Sequence, residues 1–309
     1  MKIPVLLITY NRPDYLRRRL IELLEDEKVS LVIISIDYCS DLLTSENNLV
    51  INGFKLLHQN RIRVIQRKKN LGIARHLPVA VSEVLSEFEY VIVIEDDIRI
   101  GSGAINHFVS AAWLLDSKPE IFTIGGFGPT FWVGSNIRRN KWRESIYFSA
   151  WGWMTSKTKW QDYHVDLSDE KINESLFQIG NYPKLNSRQK NAWSLRFRKI
   201  QQNPEFTWDI QMQYWTFRLG KKHLLPVMRI LENQGFSDLR SANTSDERPR
   251  WMGEERTHKK QSTMGTCSGL ISKLYTFADS YTIGGDRKIL WIKKLFPRQK
   301  RKTKCKIVI

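Results

Sequence analysis

The sequence is short of cysteine, of long apolar runs and of acid. Its three cysteines, Cys39, Cys267 and Cys305, stand far apart with no CxxC pair and no metal-ligand spacing. That excludes a disulfide framework and leads us to expect a reducing compartment. No apolar stretch reaches the length a bilayer-spanning helix needs. The short apolar run after Lys2 ends at Asn11-Arg12-Pro13-Asp14 without a small-residue cleavage site, so no signal peptide is expected. Acidic residues number 32 against 49 lysines and arginines, a formal charge of +17. Such an excess points to a polyanionic neighbour: nucleic acid, an anionic membrane surface or phosphorylated substrates. There is no internal repeat, and only the C-terminal tail is of low complexity. Hydrophobic content of 41% in 309 residues is enough for a sizeable core, in one large domain or two abutting halves.

What is present begins with Tyr90-Val-Ile-Val-Ile-Glu-Asp-Asp-Ile98. The uncharged run of β-branched residues reads as a strand buried on both faces. It ends in Glu95, Asp96 and Asp97. Carboxylates at the C-terminal end of a central parallel strand lie where open α/β sheets take their ligands. Three adjacent carboxylates repel and require a cation, for which Mg²⁺ or Mn²⁺, shared with substrate phosphates, is the natural choice. The plainer reading is a strand surfacing into an acidic loop.

The periodicity around this strand predicts an alternation of strands and helices. Strands are expected at 3–10, 30–36, 61–65 and 121–125, and helices from Pro13, over about 45–57, over 73–88 and over 104–115. Pro78 must lie in the first turns of its helix or kink it. Alternation of this kind specifies a mostly parallel, doubly wound α/β sheet. From Gly126 the chain turns Gly- and Trp-rich. Helices are expected near 156–163, 168–177, 188–201 and after Asp209, and a strand over 223–231. Four regions follow: 1–125, where strands and helices alternate, 126–240, the Gly- and Trp-rich half, 241–285 as a loop or lid, and 286–309 as a basic amphipathic tail.

In chain order, the ITYNRP end of the first strand, Asp37, Asn70-Leu-Gly-Ile-Ala-Arg-His76, Glu95-Asp-Asp97, Trp151-Gly-Trp153 with Trp160, and Trp208-Asp209 resemble a glycosyltransferase of GT-A type. The nearest kin on these motifs are the β-1,2-N-acetylglucosaminyltransferases of N-glycan assembly and related bacterial sugar transferases. The resemblance implies a Rossmann-like sheet with an abutting acceptor-binding half, and an inverting, metal-dependent transfer from a nucleoside-diphosphate sugar, expected to be UDP-linked. Asp97 would hold Mn²⁺ or Mg²⁺, and Glu95 and Asp96 would bind ribose or sugar hydroxyls. Asp37 would accept from the base N–H with Tyr10 and Arg12 beside it, and Arg75 and His76 would meet pyrophosphate or ribose. Trp151, Gly152, Trp153 and Trp208 would wall the sugars. Asp209 would be the general base, although the eukaryotic enzymes carry two aspartates after the tryptophan where this chain has Asp209-Ile210.

Each residue also has a plainer reading. His76 could be a satisfied structural histidine, and Arg12 and Asp37 could serve turns. The tryptophans could be core, and Asp209 a helix N-cap. Residues 287–306 could be a solvated tail, but lysines interleaved with Trp and Phe suit anionic lipid. The expected setting is therefore cytoplasmic or peripheral on the inner face of the plasma membrane, with a glycan or lipid-linked acceptor of surface polysaccharide synthesis. Two rival classes are a sugar nucleotidyltransferase and a basic nucleic-acid-binding protein. The first should carry a Gly-rich phosphate loop after strand one, absent here, and the second is suggested by net charge alone, so no nucleic acid is expected.

Overall fold

The computed structural model describes residues 3–128, 142–170, 172–177, 185–227, 229–236, 238–240 and 279. The loop or lid expected over 241–285 (Asp279 apart) and the basic amphipathic tail expected over 286–309, with its lipid contact at 287–306, therefore fall outside the described residues.

Four strands, β1 (Val5–Thr9), β2 (Val32–Ile36), β3 (Ile62–Gln66) and β4 (Tyr90–Glu95), alternate with helices α1 (Pro13–Leu24), α2 (Asp41–His58) and α3 (Ile73–Glu87). They pair in parallel in the order β3-β2-β1-β4, with Ile8 beside Glu95 and Thr9 beside Ile36. The C-terminal ends of β1, β2 and β4 thus come to one edge of the sheet. Every residue of β1 and β2 is buried, as expected of strands covered on both faces. Pro13 opens α1 at its first turn, where a missing N–H costs nothing. Pro78 is accommodated within α3 near its start.

A short β5 (Ile98–Ile100) follows the acidic triplet, then α4 (Ala104–Ala111) and α5 (Trp113–Ser117) where one continuous helix was expected. Beyond β6 (Ile121–Gly125) come β7 (Trp142–Ser145), β8 (Trp153–Ser156) and α6 (Lys157–Trp160). Next are α7 (Ser187–Gln202), α8 (Asp209–Arg218), β9 (Lys222–Pro226) and β10 (Leu231–Asn233). The 168–177 helix is reduced, in its described part, to a 3₁₀ turn over Glu174–Phe177. The strand expected over 223–231 is split between β9 and β10.

The full sheet runs β3-β2-β1-β4-β8-β6-β9-β7, with β8 and β7 antiparallel to their neighbours. The two halves of the chain therefore share one mostly parallel sheet. Alternate residues of β1 feed different layers. Val5 and Leu7 pack with α1, α2, α4 and α5, whereas Leu6 and Ile8 pack with α3 and with the aromatic residues of α6, α7 and α8. At the far edge Arg143 of β7 makes a fully buried, two-pronged ion pair with Asp279.

No helix among the described residues is long and apolar enough to cross a membrane.

Candidate active site

Parallel pairing leaves the residues after β1, β2 and β4 on one rim. Asp96 continues the ladder through its N–H to the Ile8 carbonyl (3.0 Å), as Asp37 does to Thr9 (3.1 Å). Thr9 Oγ1 donates to Asp96 Oδ2 at 2.8 Å. The Arg12 guanidinium lies between the two aspartates, 2.5 Å from Asp96 Oδ1 and 3.1 Å from Asp97 Oδ2. Asp96 and Asp97 are buried and Glu95 half-buried.

Burial raises the pKa of all three carboxyls: Glu95 well above its usual range with help from Asp97 and Asp96, Asp96 to about 6, and Asp97 more modestly. Arg12 opposes each rise. Burial alone would lower Arg12 itself, but Asp96, Asp97 and Glu95 together outweigh it. One guanidinium against three carboxylates leaves an excess of negative charge in a desolvated place. Among the described residues no three His, Cys, Asp or Glu side chains form a metal cage. The donor set nevertheless fits a hard divalent ion held by a single carboxylate, Asp97, and completed by phosphate oxygens and water.

Asp97 is also backed from the far end of the chain. β10 pairs antiparallel with β5, Gln234 N–H donates to the Asp97 carbonyl (2.8 Å), and Tyr15 Oη donates to the Gln234 carbonyl (3.0 Å). Gly235 in this strap lies so close that a Cβ there would overlap Asp97 Oδ2.

Asp37 is buried and engages its own chain. It accepts from the N–H groups of Tyr38 (3.0 Å), Leu71 (2.9 Å) and Gly72 (2.9 Å). These bonds fix the loop that opens α3, where Gly72 adopts a positive φ of 72°. The loop-ordering reading of Asp37 is thus realised, and a base N–H would have to share its oxygens. Tyr10 stands at the rim, its hydroxyl accepting from Asn70 Nδ2 at 2.9 Å and its carbonyl from Asn47 Nδ2 at 3.0 Å. Asn47 escaped the sequence reading because it lies mid-helix, away from every motif.

The two residues of the α3 entry part company. His76 is 1% exposed and lies 2.7 Å from Ser35 Oγ on β2. Burial lowers its pKa to about 4 although Asp37 pulls the other way, so the ring is neutral and braces α3 against the sheet. Arg75 is exposed and ion-paired with Glu205, on the loop that leads to Trp208. It ties the two halves together on the surface.

The aromatic segment needs a correction. Trp153, Trp160 and Trp208 are buried and stack in series, Trp153 lying 5.7 Å from Trp160 and 5.4 Å from Trp208 between ring centroids. They are core, not a sugar wall. Trp151 alone is half-exposed, set edge-on between Phe127 and Phe236. Gly152 has φ 71°, and a Cβ there would overlap Leu231, so its role is close packing of β8 under the strap.

Asp209 is the first residue of α8 and does not cap it; the N-cap position is Trp208, with no side-chain cap bond. Thr207 Oγ1 donates to its Oδ1. Burial raises the Asp209 pKa, and Thr207, the first N–H groups of α8 and Arg196 of α7 pull it back. The Asp209 charge adds a small upward push to the Glu95 pKa, after burial, Asp97 and Asp96. Arg196 was not singled out in the sequence; it sits on a polar face of α7 with no motif about it.

A family model described as the GNT-I family matches residues 1–167, from β1 through α6. The chain belongs to that family. It is a glycosyltransferase, and its mostly parallel sheet is of the GT-A type. Both rival classes, nucleotidyltransferase and nucleic-acid-binding protein, are set aside by this membership.

No curated protein matches. Similar solved structures include a mannosyltransferase from Pyrobaculum calidifontis in complex with GDP-Man and Mn²⁺ (12% identity, 69% of each chain, TM-score 0.41). GalNAc-T7 with UDP, GalNAc and Mn²⁺ is 9% identical over 75% of this chain and 44% of its own, with TM-score 0.46. Glucosyl-3-phosphoglycerate synthase from Mycobacterium tuberculosis, in complex with Mn²⁺ and UDP, is 12% identical over 51% and 57%, with TM-score 0.32.

Proposed function

We propose that this GNT-I family member transfers a sugar, with inversion, from a UDP-linked donor to a hydroxyl of a glycan or lipid-linked acceptor in surface polysaccharide synthesis. The observation that carries this reading is the rim at the ends of β1 and β4, where Thr9 and Arg12 bind Asp96 and Arg12 also binds Asp97. Asp209, the first residue of α8, is the candidate base for this centre.

In this reading Tyr10 and Asp37 receive the base and Arg12 the diphosphate, in exchange for part of its hold on Asp97. Glu95 and Asp96 orient donor hydroxyls. Asp97 would hold a divalent ion, Mn²⁺ or Mg²⁺, which when bound would neutralise charge on the departing diphosphate. Asp209 removes the proton of the acceptor hydroxyl, on the face opposite the leaving group. Its raised pKa makes it a stronger base than an ordinary aspartate, and Thr207 fixes the orientation of its carboxylate. Trp151 offers the half-exposed aromatic face against which a sugar would rest. The basic 287–306 segment would hold the enzyme to anionic lipid on the inner face of the plasma membrane, near a lipid-linked acceptor.

The test is thermal stability of wild type and Asp97→Ala against a panel of nucleotide sugars with and without Mn²⁺. A ligand at about a hundredfold its Kd adds about 2.7 kcal/mol, readily seen as a shift in Tm. One UDP-sugar should shift wild type in a Mn²⁺-dependent way and leave Asp97→Ala unmoved. An equal shift in both proteins refutes the metal assignment.

A further inference from the structure

Helix α2 carries a stripe of leucines on its outer face that the site does not use. Leu42, Leu49 and Leu56 are 70%, 71% and 87% exposed, and Leu57 beside them is 80% exposed. The first three recur every seven residues, about two helical turns, and so share one face. The buried side of the helix is a separate set, Asn47, Val50 and Ile51. Singly exposed leucines are ordinary, but a continuous row of them marks a contact surface.

We infer that this face pairs with the same face of a second copy, the two α2 helices antiparallel about a two-fold axis at Leu49. The sequence of the stripe is self-complementary about that residue. Leu49 meets its own copy, and Leu42 meets Leu56. Ser45 falls opposite Gly53, where nothing lies within 4 Å of the position a Cβ would take, so two small residues allow close approach. Glu46 falls opposite Asn52, a carboxylate against an amide donor, with Lys55 one turn away from that amide. An isologous contact demands this matching of residue i to j and j to i. A parallel pairing would instead put Glu46 beside Glu46 and Lys55 beside Lys55.

The charge of α2 speaks against a lipid partner. Asp41 and Glu46 near its start outnumber Lys55 near its end, so the face lacks the lysine-rich border that anionic membranes select. A standard interface covers about 800 Å² per partner. One 18-residue helix face falls short of that, so the pair should be weak and dependent on concentration, with Kd in the micromolar range. α2 also borders the nucleotide end of the site through Asn47 and Tyr10. Pairing on its opposite face leaves that border open.

Sedimentation equilibrium of the full chain over roughly 1–100 μM, in low and high salt, tests the proposal. Wild type should rise from monomer mass to twice that mass. Leu49→Glu and Leu49→Lys, each placing like charges together on the axis, should stay monomeric with unchanged far-UV circular dichroism and unchanged transfer. An equimolar mixture of the two variants should regain the doubled mass, because the opposite charges then face each other. A monomeric wild type throughout, or a mixture no heavier than its parts, overturns the proposal. So does co-sedimentation with phosphatidylcholine or phosphatidylglycerol vesicles that Leu49→Glu abolishes, which would assign the stripe to lipid.

Discussion

Gly235 lies against the carboxylate of Asp97, with its own N–H donating to Asn233 Oδ1 at 2.7 Å, so the aspartate proposed to hold the metal is shaped from behind by a strap more than a hundred residues away in sequence. A methyl group at this position has no room unless Asp97 Oδ2 or Asn233 Oδ1 gives way. Gly235→Ala should therefore fold normally yet weaken Mn²⁺ binding in the presence of UDP by about 10–100-fold, the range typical of disturbed outer-shell groups. Mn²⁺ titration followed by electron paramagnetic resonance reads this directly. Gly53→Ala, in open space, is the matched control and should bind as wild type does.

Arg12 is the counter-charge for two buried carboxylates. Removing one partner of such a cluster costs on the order of 3–5 kcal/mol, because the remaining charges lose their compensation. Arg12→Leu should lower the melting temperature at pH 7 clearly. The carboxyls it opposes already have raised pKa values, so they take up protons readily as pH falls. The deficit against wild type should accordingly shrink between pH 7 and pH 5. A deficit that stays constant with pH would mean that Arg12 acts through packing alone.

For Asp209 the sign of the linkage runs against stability. Its folded pKa lies above that of an ordinary aspartate, so the folded state holds the proton more tightly than the unfolded chain does. Stability falls as pH rises through that window, and at neutral pH the ionised form is a burden on the fold. Asp209→Asn keeps the Thr207 hydrogen bond and removes the charge. It should melt at the same temperature as wild type or higher, while transfer falls by about 10²–10⁴-fold. Melting and initial-rate assays on the same preparation separate the two effects.

Three histidines set the acid side. His76, His107 and His223 are held neutral by burial, with pKa values lowered to about 4, 3 and 3. His223 is bonded by Thr123 and Thr216, and His107 receives the Trp142 indole N–H. A depressed histidine contributes stability that is complete above its unfolded pKa near 6.5 and is lost as pH falls toward the folded value. The histidine share of the melting temperature should thus drop from pH 6.5 to pH 4, against the opposite trend of the raised carboxyls. His223→Gln should flatten that drop, whatever it does to stability at pH 7.

The first four strands were legible because each is an apolar run closed by a turn signal, and the site because the Tyr90 run stops abruptly in Glu95-Asp96-Asp97. The helices α1, α3, α7 and α8 followed from their apolar spacing. What could not be read was direction and depth. Trp153-Met-Thr-Ser156 is buried throughout, and nothing in four such residues says that it will lie antiparallel between β4 and β6. Trp153, Trp160 and Trp208 looked like a surface wall because tryptophan serves cores and sugar sites equally well. The demand on Asp37 came from backbone N–H groups of Leu71 and Gly72, which no side-chain pattern displays. The Gly235 strap depends on a contact between distant parts of the chain, visible only once β5 and β10 pair.

The buried pair of Arg143 and Asp279 bears on where this protein can be cut. The family match ends at residue 167, which invites a minimal fragment holding the acidic triplet. Such a fragment would expose the flanks of the shared sheet. Even a longer piece that stops before Asp279 would leave a guanidinium with no exposed surface facing the interior without its carboxylate. A piece that ends before Asp279 should therefore melt below one that includes it, which ties the sheet that carries the acidic triplet to a residue far outside the matched region.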